Sequence, residues 1–479
     1  MNKIRQMLNR ILGRSIDEIS AQGSPQGLYL LNDPTTPDLV VPQVLPKRPE
    51  NLSFTVNEFH PTKLNSKDLR DNYVVNTYIT VCNVANYFQS VVSGFDRPVK
   101  GWAATPNLTI LPFAGKKLNA FYNRSSLQFF YAPNPHTNKM IYTSASAEIV
   151  SHELGHALLD ILRPDLWNVQ ALEVWAFHEA FSDITTIANA LHYDDLIVKM
   201  LEETKGSLMN TNILSKLAEE LGGASKKSCI RDVSEVYNYV DPHKLPQKAE
   251  GNTLCAEPHN FSRVFSGAWY ELLVRIYEKE KGKMGDIKAI KHARDVAYSR
   301  LLKATIISPN TIKFFDGLAK CMVATEKMKG NAYTQIFEEV FMKRGILRPV
   351  VKILSNLRYT DVLHDLEKED QISKKGDVIV TRKPRPRKMV IANYWVSDLS
   401  SSNPLYNVEL EVPGDSYYLF DDKQLIDESH PDDSEILESS VLCALSVKNY
   451  QGLGENEMWE IKNNKLIRNH VFCGCFTAT

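Results

Sequence analysis

No apolar run in this sequence approaches the ~20 residues that a membrane span requires, so no spanning helix is expected. The N-terminal stretch MNKIRQMLNRILGRS lacks the apolar h-region of a secretory signal. It instead places Ile4, Met7, Leu8, Ile11 and Leu12 on one helical face, which reads as a helix packed on the body. A cytoplasmic location is the expectation, with export by a route without a signal peptide left open. Cysteine is sparse: seven in 479 residues, an odd number thinly spread, which excludes a disulfide framework. Cys473 and Cys475 form a C-x-C pair, but alternate residues of one strand share a face by default. The net charge of −1 excludes a global field that would draw nucleic acid or an anionic membrane. Internal repeats are absent.

What is present falls into blocks. Residues 1–50 read as the N-terminal helix followed by a connector, DPTTPDLVVPQVLPKRPE, whose prolines enforce extended chain. Residues 51–144 are rich in aromatic and β-branched residues and read as a β-rich lobe. Residues 145–348 carry helical periodicity, for instance in FHEAFSDITTIANAL and DIKAIKHARDVAYSRLLKATI. Residues 349–388 are charged and proline-containing, which reads as a linker. Residues 389–479 hold short apolar runs broken by Asp, Ser, Asn and Pro, expected to form a small β-rich domain. The fold class expected is therefore α+β.

The chemistry concentrates at IVSHELGHALLD, residues 149–160. His152 and His156 are spaced i, i+4 and so project from one helix face. Two imidazoles there can share one zinc at ~2.0–2.1 Å each, and Glu153 can reach a water on that metal. An H-E-x-x-H arises by accident in on the order of one in fifty chains of this length, so the motif alone leaves open a plain helix with two surface histidines. A catalytic zinc needs a third protein ligand and an open position. The metzincin pattern would place a histidine where Leu162 stands. Further on, WAFHEAFSD sets Glu179 off the apolar stripe of Phe177, Phe181, Ile184 and Ile187, with Asp183 one turn later. Glu179 is the candidate third ligand. Asp183 is the candidate acceptor for the outer N–H of a ligand histidine, a bond that fixes its tautomer. The plain alternative is a solvated acidic face.

HELGHALLD followed by HEAFSD resembles the thermolysin-like zinc metallopeptidases of the gluzincin family. The resemblance runs from about Asn107 to Leu347. It implies a two-lobed metallopeptidase core, a β-rich N-terminal lobe and a helical C-terminal lobe, with the small β-rich domain appended. In LNAFYN, Asn119 and Ala120 stand where the family binds substrate main chain on an edge strand. In PHNFSRVFSGAWYELL, His259 matches the histidine that stabilises the transition state. In IRDVS, Arg231 matches the arginine that contacts the substrate carbonyl. Ile149 and Ile230 resemble residues lining the pocket just after the cut, which implies an apolar residue there.

Departures from the family pattern bear on these roles. His178 precedes Glu179 where the family usually has Asn, and a histidine there can compete as a ligand. The catalytic tyrosine has no clear match in RPDLWNVQALEVW; Trp167 or Gln170 falls near its place. Only Glu148 matches the acidic cluster that holds calcium, so calcium is not expected. The family's large folding pro-domain is not expected ahead of the catalytic half. The function expected is a zinc-dependent endopeptidase with one Zn2+ held by His152, His156 and Glu179, Glu153 and His259 catalytic, and a protein or peptide substrate. Two alternatives stay open: a catalytically reduced zinc-site scaffold whose C-terminal domain binds a partner, and an autoinhibited protease whose Pro-rich N-terminal connector or C-terminal domain covers the cleft, the latter also open to a regulatory partner.

Overall fold

The computed structural model describes residues 26–61, 64, 66–95, 99–249 and 253–347, and beyond them 373–375, 378–380, 387–390, 408–414, 417–421, 424–429, 435–436, 439–440, 459–469 and 471–472. The expected N-terminal helix and the Cys473–Cys475 pair lie outside the described residues. Helices and small sheets are mixed, as the α+β expectation has it. No helix among the described residues is long and apolar enough to cross a membrane. Cys82, Cys229, Cys255 and Cys321 are buried free thiols.

The structure adds to the blocks in three places. The proline-rich connector is extended, as expected, and Val40–Val44 within it pairs antiparallel with Gln26–Leu30. Pro42 is tolerated because a two-stranded ribbon leaves one side of each strand without a ladder partner. The β-rich lobe contains a long helix, α1 (Leu69–Val92). Its Val, Ile, Thr and Tyr content favours strand by local propensity. Burial overrides that: Val74, Tyr78, Val81, Ala85, Phe88 and Val92 recur at helical spacing and are all buried. The charged linker is not wholly irregular either. Ser373–Lys375 and Val378–Val380 form a hairpin, and Val378–Val380 also pairs with Tyr417–Asp421.

Two further helices organise the centre. Helix α2 (Ala147–Leu162) starts at Ser146, whose side chain accepts from the Ile149 N–H, a standard N-cap bond. Helix α3 (Leu172–Ala190) is buried along its entire length and packs against α2. A helix apolar all round belongs inside a protein, and both of these hide His, Glu and Asp among their apolar residues. A five-stranded sheet flanks them. Its order is Val471–Phe472, Ala120–Tyr122, Ser126–Phe129, Leu108–Leu111, Phe54–Val56. The first two neighbour pairs are antiparallel and the last two parallel.

Beside the start of α2 lies a buried acidic pair. Glu148 Oε2 accepts from the Ala218 N–H at 2.7 Å. Asp33 Oδ1 accepts from the Thr35 N–H at 3.1 Å and from the Glu220 N–H at 3.0 Å. Burial, with the charge of Glu220 adding to it, raises the Asp33 carboxyl to about 6, and burial lifts Glu148 well above the carboxylate range. The folded chain thus keeps the Asp33 proton up to about pH 6, whereas the unfolded chain gives it up near the ordinary value of 3.8. Stability must fall as pH rises through that window, by roughly 3 kcal/mol from this group. Asp33→Asn keeps the Oδ1 acceptor and cannot ionise. Urea unfolding midpoints of wild type should therefore drop between about pH 4 and pH 7, and the drop should be smaller in the variant.

Candidate metal centre

Helices α2 and α3 approach closely because of one glycine. A methyl group at Gly155 would sit 2.7 Å from Ser182 Cα and 2.9 Å from its Oγ. Gly155 lies between His152 and His156, and Ser182 lies between Glu179 and Asp183. Contact at that point sets the two halves of the site against each other.

The resulting geometry is compact. His152 Nε2 lies 3.4 Å from Glu179 Oε2, and His156 Nε2 lies 3.6 Å from Glu179 Oε1. The ligand atoms of His152, His156 and Glu179 all fall within 4.8 Å of one another, and all three residues are buried. Bonds of 2.0–2.1 Å to a tetrahedral ion would separate ligand atoms by about 3.3–3.4 Å. The observed His–Glu separations are close to that and too long for good hydrogen bonds. Both Nε2 atoms and Glu179 Oε2 are buried without a hydrogen-bond partner. Burying such groups unpaired is costly, and a cation among them would satisfy all three. This donor set can hold a metal ion.

Residues around the cluster orient it. His152 Nδ1 lies 3.0 Å from Asp183 Oδ1. Arg231 grips Asp183 with two bonds, Nε to Oδ2 at 2.8 Å and Nη2 to Oδ1 at 2.7 Å. Burial opposes ionisation of Asp183, but Arg231 and His152 outweigh it and hold its pKa below the ordinary value. Burial likewise opposes protonation of His152, and the neighbouring carboxylates of Asp183 and Glu179 raise its pKa all the same. Burial, then His152 and His178, push His156 well below the usual histidine value, leaving a neutral ring fit to ligate.

His259 arrives from a different part of the chain, on the turn Pro258–Phe261. Its Nε2 lies 3.6 Å from Glu179 Oε1. Its Nδ1 bonds Glu257, which also accepts from the N–H groups of His259 and Asn260. Burial disfavours the His259 cation, but Glu179 and Glu257 prevail and raise its pKa to about 9. Glu257 was not legible as a site residue. The available signal was its position two residues before His259, where a helix cap is common.

His178 does not join the metal cluster. Its ring centroid is 6.0 Å from that of His156 and 6.2 Å from Trp167, and both ring nitrogens are buried without a hydrogen-bond partner. Burial, with Arg468 and Arg124 nearby, lowers its pKa well below the usual value. Trp167 donates its indole N–H to the Arg468 carbonyl at 3.0 Å, and Gln170 donates Nε2–H to the Asn168 carbonyl at 3.3 Å. Ile149 is buried one turn ahead of His152, and Ile230 packs against the core.

Asn119 and Ala120 lie on the strand that flanks α2. Thr143, just before α2, donates Oγ1–H to the Asn119 carbonyl at 3.1 Å. Tyr122 donates its hydroxyl to Asp160 Oδ2, one turn past His156, at 2.9 Å. The strand therefore passes alongside the level of the two histidines. It is not the open edge expected: Val471 and Phe472 stand opposite Tyr122 and Phe121. The sheet edge is covered by residues so distant in sequence that local pattern could not reveal the pairing.

Gly155→Ala should cost on the order of 1–3 kcal/mol, as overpacking of a tight core does. It should also weaken divalent-metal binding by about ten- to a hundredfold by pushing Glu179 and Asp183 off α2. Thermal melts with and without chelator, together with a zinc titration, check both. A variant that melts and binds like wild type would contradict the close contact.

The chemistry of this centre rests on its own geometry, because no protein-family model matches the chain and no curated protein matches it.

Proposed function

We propose that this chain is a zinc-dependent endopeptidase with a thermolysin-like two-lobed core. The observation that carries the reading is the orphaned trio His152, His156 and Glu179 at ligand-to-ligand spacing, with Glu153 beside it on α2 and His259 facing Glu179. Three protein ligands, rather than the four of a structural site, are the donor count of a catalytic zinc site. Zinc, when bound, supplies Lewis acidity toward a carbonyl oxygen and acidifies water.

The chain's own groups do the rest. Glu153, directly after His152 and fully buried, takes a proton from the attacking water and returns it to the leaving amine. A buried carboxylate suits this because it holds the proton away from bulk solvent. His259, with Nδ1 fixed by Glu257, donates from Nε2 to the oxygen that gains charge. Arg231 acts from beside the same oxygen, while its two bonds to Asp183 hold Asp183 on His152. Asp183 thereby keeps the His152 tautomer that presents Nε2. The strand from Asn119 to Tyr122 would pair with an extended substrate once Val471 and Phe472 leave its edge, a main-chain mode that tolerates many sequences. Side-chain selectivity then falls to Ile149 and Ile230, which favour an apolar residue just after the cut.

Glu153→Gln preserves size and removes the base. The zinc-loaded variant should retain its metal, one ion per chain, and lose about 10²–10⁴-fold in cleavage rate. Mass spectrometry of a diverse peptide mixture incubated with each form reads this out. Wild type should cut before bulky apolar residues, and those cuts should vanish with Glu153→Gln. Cuts that persist in the variant, or that fall only before charged residues, would overturn the mechanism or the pocket assignment respectively.

A further inference from the structure

We propose that the strand Val471–Phe472 occupies the place of an extended substrate on the Ala120–Tyr122 edge, so that the chain carries its own competitive inhibitor. The inference rests on the endopeptidase reading for its consequence, though not for its geometry. Backbone N–H and C=O groups of successive strand residues point to alternate sides. Asn123 donates its N–H to Ser126, and Asn119 accepts from Phe130, so 119, 121 and 123 face the neighbouring strand within the sheet. The backbone groups of Ala120 and Tyr122 accordingly face outward. Outward is where a substrate would pair, and where Val471 stands in register with Tyr122. The Ala120 N–H is meanwhile taken by its neighbour, with Asn119 Oδ1 accepting it at 2.9 Å.

The strand is held by anchors immediately before it. Arg468 accepts the Trp167 indole N–H on its carbonyl at 3.0 Å and donates its own N–H to Asn168 Oδ1 at 3.2 Å. Its guanidinium lies 5.2 Å from the Trp167 ring centroid and 5.7 Å from that of Trp175, and the residue is only 4% exposed. A second tie fastens the same loop, where Gln170 donates its N–H to the Glu411 carbonyl at 2.7 Å and Val169 bridges Glu411. The loop between α2 and α3 thus clamps the C-terminal region against the flank of the metal centre. Two tryptophans stacked on a buried arginine, only three residues ahead of Val471, leave the strand little freedom to shift register. A peptide substrate must displace this strand to pair with Tyr122.

The test uses the full chain carrying Val471→Pro and Phe472→Pro, which removes both N–H donors and disfavours pairing within a sheet. Two quantities are read: hydrogen exchange in fragments covering residues 119–123, and cleavage of a peptide mixture by the zinc-loaded forms. In wild type the Tyr122 amide should exchange slowly. In the variant it should exchange fast, and the synthetic peptide RNHVF (residues 468–472) added in excess should slow it again. Cleavage should rise by about tenfold or more, since apparent activity scales with the fraction of molecules whose edge is free. Fast exchange at Tyr122 in wild type would overturn the proposal whatever the variant does, including failing to fold. Exchange that responds as described, with cleavage equal in both forms, would overturn the inhibitory role and leave the peptidase reading intact. Exchange that responds as described, with no cleavage by either form, would retain the strand as the edge's occupant and overturn the peptidase reading instead.

Discussion

The candidate centre depends on one contact between two helices. Gly155 and Ser182 meet at a distance that leaves no room for a methyl group. Each helix brings its chemistry on both sides of that point: His152 and His156 flank Gly155, while Glu179 and Asp183 flank Ser182. With larger residues the axes would part by an ångström or more, and the separations of 3.4 and 3.6 Å from histidine to Glu179 would open beyond the reach of a single ion. Metal sites need ligand positions good to a few tenths of an ångström. Helices buried on all sides provide that rigidity, since close-packed interiors deform little.

Charge balance gives a second reason to read a cation into this cluster. Four carboxylates, Glu153, Glu179, Asp183 and Glu257, are gathered in the interior, each at most 5% exposed. Two cationic side chains accompany them: Arg231, bonded to Asp183, and His259, whose pKa is raised to about 9. The four carboxylates outnumber these two groups, and a divalent ion bound among them would add positive charge where burial makes it most favourable. Burial opposes a charge on His152, and Asp183 and Glu179 raise its pKa all the same. Metal ligation takes the neutral ring, so protonation and metal binding compete for it.

Much of the centre was legible in the sequence because its parts are local. His152, Glu153 and His156 share one helix, Glu179 and Asp183 share the next, and helical spacing is a rule that needs no tertiary knowledge. His259 and Arg231 were reached only through resemblance, since no periodicity links residues so far apart. Glu257 and Gly155 went unread for a different reason: each acts by what touches it, and contacts are invisible in a string. Helix α1 shows the opposite failure, in which local preference was clear and misleading. Its β-branched and aromatic residues favour strand, yet Val74, Tyr78, Val81, Ala85 and Phe88 line one buried helical stripe. Residues 74–82 are buried without a break, so the helix is held by burial on all sides and its period is weakly marked in the sequence. The hairpin of Gln26–Leu30 with Val40–Val44 hid behind prolines that an edge position tolerates.

The C-terminal region illustrates how one physical need can serve two ends. Read by composition, residues 389–479 are an appended β-rich unit. In the fold, Val408, Leu410, Val412 and Leu466 belong to the same hydrophobic core as the helices, and Val471–Phe472 completes the sheet that flanks α2. A bare edge strand invites pairing with any extended chain, and proteins cover such edges to avoid association. On the proposed endopeptidase reading the edge must also stay available, because the same backbone groups would bind substrate. A cis strand anchored through Arg468 meets both demands. As proposed, it covers the edge while idle and yields it to a competitor, since the two pairs among the described residues make a weaker ladder than a long extended peptide would. Affinity for substrate and protection from aggregation are then set by one equilibrium, whose position depends on how firmly Trp167 and Trp175 hold Arg468.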